Sequence, residues 1–406
     1  MDRVARALEL ADRLSAGEAL APPAPVAARR SVALGDPQAT AARLFALLDH
    51  QQLLGDDGWL RPDVQLVSIG DHFDFGTRAQ GTLPQAQADG PRFLRWLAAH
   101  PPGQVTILLG NHDAARVMEL AFADDERFEA AAALATDLVA LRDVDPAAYA
   151  ERVAGEYATA YPELPGPGLV HRDFSAFTAG QRALVAELLL AGRIRLAATA
   201  TRGGVPVLLT HAGITLRELE LLGAVDEREP SALAAALDDH LRRAVDAVAP
   251  DWRAGRPAAL SLAPLHVAGA TGADDPELPE GGGLLYHRPA DPDRPGADRS
   301  WELERTRPRR FHPVRLPRGL VQACGHTGHA KCVAELVRWR DPALVEGPAG
   351  LRTLRVDGDV VQYHLGASAP GADSAVLYMI DPTLHRAADV TAIDVLELDA
   401  GSIAAS

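Results

Sequence analysis

Cysteine is nearly absent from this chain. Only Cys324 and Cys332 occur in 406 residues. Two thiols cannot form a disulfide framework, and the pair reads as reduced, as in a cytoplasmic protein. No apolar stretch reaches the length of a membrane span. The N-terminal MDRVARALELADRL carries charges where a signal peptide needs a continuous apolar segment. A Gly-Lys-Ser phosphate loop is also missing, which excludes the nucleotide-binding folds built around one. Positive charge is in short supply: 55 Asp and Glu stand against 40 Lys and Arg, a formal charge of −15. Such a surface gains little from counterion release, so neither nucleic acid nor membrane is expected as a partner. General disorder is excluded by an apolar fraction of 47%, ample for a packed core. The bias toward Ala, Leu, Arg, Pro and Gly points to a GC-rich bacterial genome.

What is present is a set of short strings, each following an apolar run. Gly70-Asp71-His72-Phe73-Asp74-Phe75-Gly76 follows the strand-like segment from Val64 to Ile69. Gly110-Asn111-His112-Asp113 follows Val105 to Leu109. An Asp and then an Asn-His pair, each at the C-terminal tip of a strand, is what a two-metal phosphate-cleaving site requires. The Asp bridges two cations, the Asn holds one through its carbonyl oxygen, and the His serves the leaving group. The separation of the strings fits one strand–helix–strand unit of a layered α/β fold.

Elsewhere the pattern is one of alternating elements. Residues 2–19 have helical spacing, with Val4, Leu8, Leu10 and Leu14 as a partial apolar stripe, and a Pro/Ala-rich linker follows. Ser31 to Leu34 reads as the first core strand, Leu44 to Leu54 as a helix, and Phe93 to Ala99 as another. Ala114 to Ala160 is Ala-rich and helical, an insertion over the mouth of the site. A second insertion from Thr215 to Pro317 begins with a helix near Ala232 to Val248 and then becomes loop-like. Leu351 to Val356, Val360 to Leu365 and Ala375 to Ile380 read as an antiparallel run, with a tight turn at Asp357-Gly358. The expected organisation is an N-terminal helix and linker (1–30), a catalytic domain (31–390) with insertions at about 114–200 and 215–317, and a C-terminal tail (391–406). The fold class is α/β: a β-sandwich flanked by helices, its metal site on loops at the strand ends, with helical and loop-rich insertions.

In order along the chain stand Gly35-Asp36-Pro37-Gln38, Gly70-Asp71-His72-Phe73-Asp74, Gly110-Asn111-His112-Asp113, Thr210-His211-Ala212-Gly213 and Gly325-His326-Thr327-Gly328-His329. This succession resembles the calcineurin-like metallophosphoesterase superfamily, whose pattern runs Asp-x-His, Gly-Asp-x-x-Asp, Gly-Asn-His-(Asp/Glu), a strand ending in His, and Gly-His. The His-Ala-Gly string is nearest the phosphoprotein phosphatase and diadenosine-tetraphosphatase branch. The resemblance implies two divalent cations (Mn, Fe or Zn). Asp71 bridges them, Asp36 serves the first site, and Asn111, His211 and His326 serve the second. His112 becomes the general acid, held by Asp74. Two departures stand out. Gln38 occupies the usual His position, and a neutral amide is a weaker ligand than imidazole; either Gln38 or the displaced His329 completes the first site. Phe75 stands where the branch carries a phosphate-gripping Arg, so Arg78, Arg116 or Arg288 is left to substitute. His72 reads as a wall residue.

The expected activity is metal-dependent hydrolysis of phosphate monoesters, on a phosphoprotein or a small molecule, by a metal-bridged hydroxide. Cleavage of phosphodiesters or dinucleoside polyphosphates is the alternative within the class. A degenerate, non-catalytic binding scaffold is the alternative outside it.

Overall fold

Apolar strands that alternate in two directions need cover on both faces, and each sheet of this protein finds it in the other sheet and in helices. The computed structural model of the protein describes residues 2–76, 81–225, 228–269, 281–293, 307–342, 350–371 and 373–404. The first sheet uses β1 (Arg30–Leu34), β2 (Val64–Ser68), β3 (Val105–Leu108) and β4 (Ile194–Arg195), all parallel. The second uses β5 (Ala197–Arg202), β6 (Val205–Thr210), β7 (Val321–Cys324), β8 (Arg352–Asp357), β9 (Val360–Leu365) and β10 (Ala375–Met379). Its spatial order is β9-β8-β10-β7-β6-β5, with β6, β7 and β10 parallel to one another. The chain ends in β11 (Leu396–Leu398), which returns to pair antiparallel with β1.

Between the sheets lie Val67, Ile69 and Leu108 from the first and Val207, Leu209, Ala323, Val376 and Tyr378 from the second. The alternate residues of the first sheet, among them Val32, Leu66 and Ile107, face the helices α1 (Arg3–Ser15), α2 (Ala41–His50) and α3 (Leu83–Ala99). Phe45 of α2 meets Phe93 and Trp96 of α3 at ring distances of 5.7 and 5.2 Å. The outer face of the second sheet buries Leu354, Val356, Tyr363, Leu377 and Met379 against Phe311, Cys332 and Leu336. The protein is therefore a mixed α/β molecule with two multi-stranded sheets flanked by helices.

Several sequence expectations change here. The N-terminal helix is built onto the core: Ala7 and Ala11 are fully buried in the cluster that holds α2 and α3. Residues 391–406, read as a tail, supply the edge strand β11, and Ala404 donates to the Thr199 carbonyl at 2.9 Å. The helix expected from Phe93 begins ten residues earlier and runs through Asp89-Gly90-Pro91. Pro91 has no N–H for the Gln87 carbonyl one turn back. The side chain of Gln181 donates to that carbonyl instead, at 3.3 Å. The Asp357-Gly358 turn forms as expected, with Asp357 paired to Val360. The helical insertion holds its own cluster, Phe128, Leu138, Tyr157, Val170 and Phe174 among its members. No helix among the described residues is long and apolar enough to cross a membrane.

Candidate metal centre

Parallel strands aim their C-terminal tips in one direction, and six tips from the two sheets meet at one edge. Asp36 follows β1, Asp71 follows β2, Asn111 follows β3, His211 follows β6, His326 follows β7 and Asp381 follows β10. All six line or adjoin a cleft of about 140 Å³. The Gly70 and Gly110 loops touch backbone to backbone. A Cβ on Gly70 would stand 2.4 Å from the Gly110 nitrogen, and one on Gly110 would stand 2.2 Å from the Asp71 nitrogen. Glycine is therefore required at both positions. Five non-glycine residues among those described have positive φ, and four belong to this edge: Asp71, Asp74, His326 and Thr383. Backbone strain of this kind persists only where the surroundings over-determine it, and it gathers at functional sites.

The donor set can be read from the hydrogen bonds. His211 places Nδ1 2.7 Å from the Ile69 carbonyl, which can only accept, so Nδ1 carries the proton. Its Nε2 lone pair then faces Asn111 Oδ1 at 3.1 Å and Asp71 Oδ1 at 3.5 Å. His326 places Nδ1 2.8 Å from Asn111 Oδ1, while its Nε2 lies 2.9 Å from the Tyr286 carbonyl and 3.2 Å from the Arg288 guanidinium. Burial, with Arg288 and His211 adding to it, pushes the His326 imidazole well below its usual pKa and keeps it neutral. Asp71, His211 and His326 each bring a ligand atom within 4.8 Å of the others. The His211 lone pair, a carboxylate oxygen of Asp71, the amide oxygen of Asn111 and the His326 imidazole thus converge. That donor set fits a divalent transition metal.

Beside it stands a hydrogen-bonded acid pair. His112 Nδ1 lies 2.9 Å from Asp74 Oδ2, and its Nε2 lies 4.0 Å from Asp71. Burial alone would lower the His112 pKa, but Asp71 and Asp74 outweigh it and raise the imidazole to about 9. Burial likewise opposes ionisation of Asp74, while the Arg116 charge and His112 hold it below the usual carboxylate range. Asp113 clamps both loops. Its carboxylate accepts from the backbone of Gly110 (2.9 Å), Asp71 (2.9 Å) and His72 (3.0 Å), and from His72 Nδ1 (3.0 Å).

Across the cleft Asp36 accepts the His326 N–H at 2.9 and 3.0 Å, which stitches the first sheet to the second. Burial, with Asp381 and Asp71 nearby, raises its pKa well above the usual value. Gln38 shares this wall, and its amide donates to the Phe73 carbonyl at 3.0 Å. Tyr286, Arg288, Asp173 and Lys331 line the mouth. Lys331 is the only lysine of the chain and is exposed.

No protein-family model matches the chain. No curated protein matches it either. Among solved structures it is similar to a cold-active protein tyrosine phosphatase determined at 1.1 Å, with 16% identity and a TM-score of 0.30 over 76% of this chain and 68% of that one. That likeness is too distant to transfer a residue or a role.

The structure brings together Asp36, Gln38, Asp71, Asn111, His112, His211, His326 and Arg288, with Asp74 directly behind His112. It does not bring His329, which opens the helix α4 (His329–Glu335) and is buried with Nδ1 3.3 Å from the Tyr363 hydroxyl, away from the cleft. The extra residue in Gly-His-Thr-Gly-His turns this side chain onto the outer face of the second sheet. Arg116 is not a substrate contact. It is fully buried and bonded to Asp74 at 2.5 Å, to the His112 carbonyl at 3.0 Å and to Gln181. Arg78 lies outside the described residues. The His72 reading as a wall residue is too modest, since its ring joins Asp113 to Ser68 Oγ, 2.9 Å away. Asp381 went unread. Its signal is the order apolar strand, Asp, Pro, which repeats Asp36-Pro37 at the other end of the chain.

Proposed function

We propose that this chain is a metal-dependent phosphoesterase of the calcineurin-like metallophosphoesterase type, acting on phosphate monoesters. The observation that carries this reading is the convergence of ligand atoms from Asp71, Asn111, His211 and His326 beside the His112–Asp74 pair. Asp71 would serve both cations, Asn111, His211 and His326 the second, and Asp36 with Gln38 the first. Mn, Fe and Zn suit these ligands. When bound, such ions supply Lewis acidity and offset negative charge on a phosphoryl group.

The chain's own residues have distinct tasks. His112 holds a proton on Nε2, the nitrogen not engaged by Asp74, and can donate it to the departing alkoxide. Asp74 fixes the tautomer and favours the imidazolium. Arg288, with its guanidinium 3.2 Å from His326 Nε2, lies at the cleft wall where a phosphoryl oxygen would sit. The small cleft and the His211-Ala212-Gly213 string support a monoester over a bulkier diester.

The direct test is hydrolysis of p-nitrophenyl phosphate by purified protein, before and after chelation. Activity should disappear with chelator, return with added Mn²⁺, and exceed that on bis(p-nitrophenyl) phosphate. Turnover undiminished after exhaustive chelation and metal-free dialysis would defeat the reading.

A further inference from the structure

We propose that Asp381 is a metal ligand of the first site and supplies the anionic oxygen that Gln38 cannot. The inference rests on the metallophosphoesterase reading and concerns a residue outside the motifs that led to it.

Position comes first. β10 runs parallel beside β7, and the Ile380 N–H continues the ladder by donating to the Cys324 carbonyl at 2.8 Å. This register delivers Asp381 next to the His326 loop. On the other side the β1 tip comes so close that a Cβ on Gly35 would stand 2.1 Å from the Ile380 carbonyl oxygen and 3.0 Å from the Asp381 nitrogen. Asp36 and Asp381 therefore line the same wall of the cleft, each the first charged residue after its strand.

Orientation comes second. Asp381 Oδ1 accepts the Thr383 N–H at 2.7 Å, and Thr383 is held in the left-handed region at φ 51°. A β-branched residue rarely adopts that conformation, so the turn is imposed on it. The Asp381 carbonyl accepts from the buried Arg352 guanidinium at 2.6 Å. The residue is thus fixed at both ends. It is 8% exposed, yet Oδ2 has neither a hydrogen bond nor an ion pair among the described residues. Gly328 leaves room there, since a Cβ at that position would stand 3.1 Å from Oδ2.

Charge decides between a structural and a ligand role. Asp36, Asp71 and Asp381 are all buried at one cleft, and neither Asp36 nor Asp381 has an ion-pair partner among the described residues. Carboxylates buried at one cleft stay ionised only with compensating positive charge. Gln38 brings none, and its amide nitrogen is committed to Phe73. A divalent cation held by Asp381 at the Asp36 wall of the cleft meets the requirement. Its ligands would be all oxygen, so this site should prefer harder Mn²⁺, while the two imidazoles of the second suit Fe or Zn.

The test is Mn²⁺ binding by metal-free protein, read by equilibrium dialysis with elemental analysis. Wild type should bind two Mn²⁺ per chain. Asp381→Asn, which keeps an acceptor for the Thr383 N–H, should bind one under the same conditions. Its first-site dissociation constant should rise on the order of 100-fold. Adding Gln38→His to that variant should restore much of the loss. Should Asp381→Asn not fold, crystals of the wild type soaked in Mn²⁺ give the answer. A first-site anomalous peak is expected about 2.2 Å from Asp381 Oδ2, and a peak beyond contact with both Asp381 oxygens overturns the inference. Two sites of unchanged affinity in Asp381→Asn overturn it too, while leaving the phosphoesterase reading intact. Wild type that binds no Mn²⁺ overturns both.

Discussion

Asp71 and His112 touch through a backbone hydrogen bond of 2.9 Å, yet substitutions at the two should fail differently. Asp71→Asn should lose bound metal together with turnover, because in the proposed reading both cations share its carboxylate. His112→Asn should keep the metal and lose rate by about 10²–10⁴-fold, as expected for a general acid. Elemental analysis beside a rate assay separates the two, and a metal-free His112→Asn would mean that His112 is a ligand. Arg116 carries a third expectation. Arg116→Met keeps an apolar stem against the Phe73 ring, 4.8 Å away, but removes the guanidinium from the buried Asp74 carboxylate and leaves it His112 alone as a cationic partner. Urea unfolding should show a loss of about 3 kcal/mol. At this scale the motif residues Asp36, Asp71, Asn111, His211 and His326 were legible as neighbours at one edge, whereas His329, also in a motif, lies away from it. Arg116 was misread because an Arg near a phosphate motif looks like a ligand until its burial is known. Asp381 went unread because its Asp-Pro belongs to none of the strings that carry the resemblance.

At the scale of elements, α3 shows why local reading stops short. Gly90 and Pro91 are helix breakers in isolation. Here Gly90 is needed because a Cβ would stand 2.7 Å from the His72 carbonyl and the Phe73 ring, and Gln181 repairs the hydrogen bond that Pro91 omits. Neither partner is visible within a window of the chain. The end of α3 also sets a pH dependence. His100 donates from Nδ1 to the Trp96 carbonyl at 2.8 Å and accepts the Leu60 N–H on Nε2 at 3.2 Å. Burial lowers its pKa from 6.5 to about 4. The unfolded chain therefore takes up the proton first as pH falls. The stabilisation is complete above pH 6.5 and drains away between 6.5 and 4. Between pH 7 and pH 5 this one group should cost about 2 kcal/mol. His100→Gln should lack that part of the slope in paired urea titrations, and an unchanged slope would assign the loss elsewhere.

For the whole molecule, the strands were legible and their arrangement was not. Apolar runs announced β1, β2, β3, β8, β9 and β10, whereas the return of β11 to β1 depends on pairing across the entire chain. The insertions also gain meaning only in three dimensions. Phe174 sets its ring edge-on to His112 at 6.0 Å, and Asp173 beside it lines the cleft, so the helical insertion reaches the proposed acid. The second insertion reaches the opposite wall through Tyr286 and Arg288. Replacing Asp173 and Phe174 with alanine should change the ranking among phosphomonoesters of different size more than it changes p-nitrophenyl phosphate turnover. Equal loss on every substrate, in folded protein, would count against a selective role for the insertion.

The lysine count has a practical reach. Because Lys331 is the only lysine and stands exposed at the mouth of the cleft, amine-directed chemistry has one side-chain target on this protein, besides the chain's α-amino group. Reductive methylation, acylation or amine coupling to a sensor surface would therefore act at the cleft and nowhere else along the side chains. A protein immobilised in that way would be tethered by its mouth, and a binding experiment on it would report a blocked cleft. Coupling through an added terminal tag avoids the artefact. The same chemistry, run with and without inorganic phosphate in solution, turns Lys331 into a built-in footprinting probe of whether the cleft is filled.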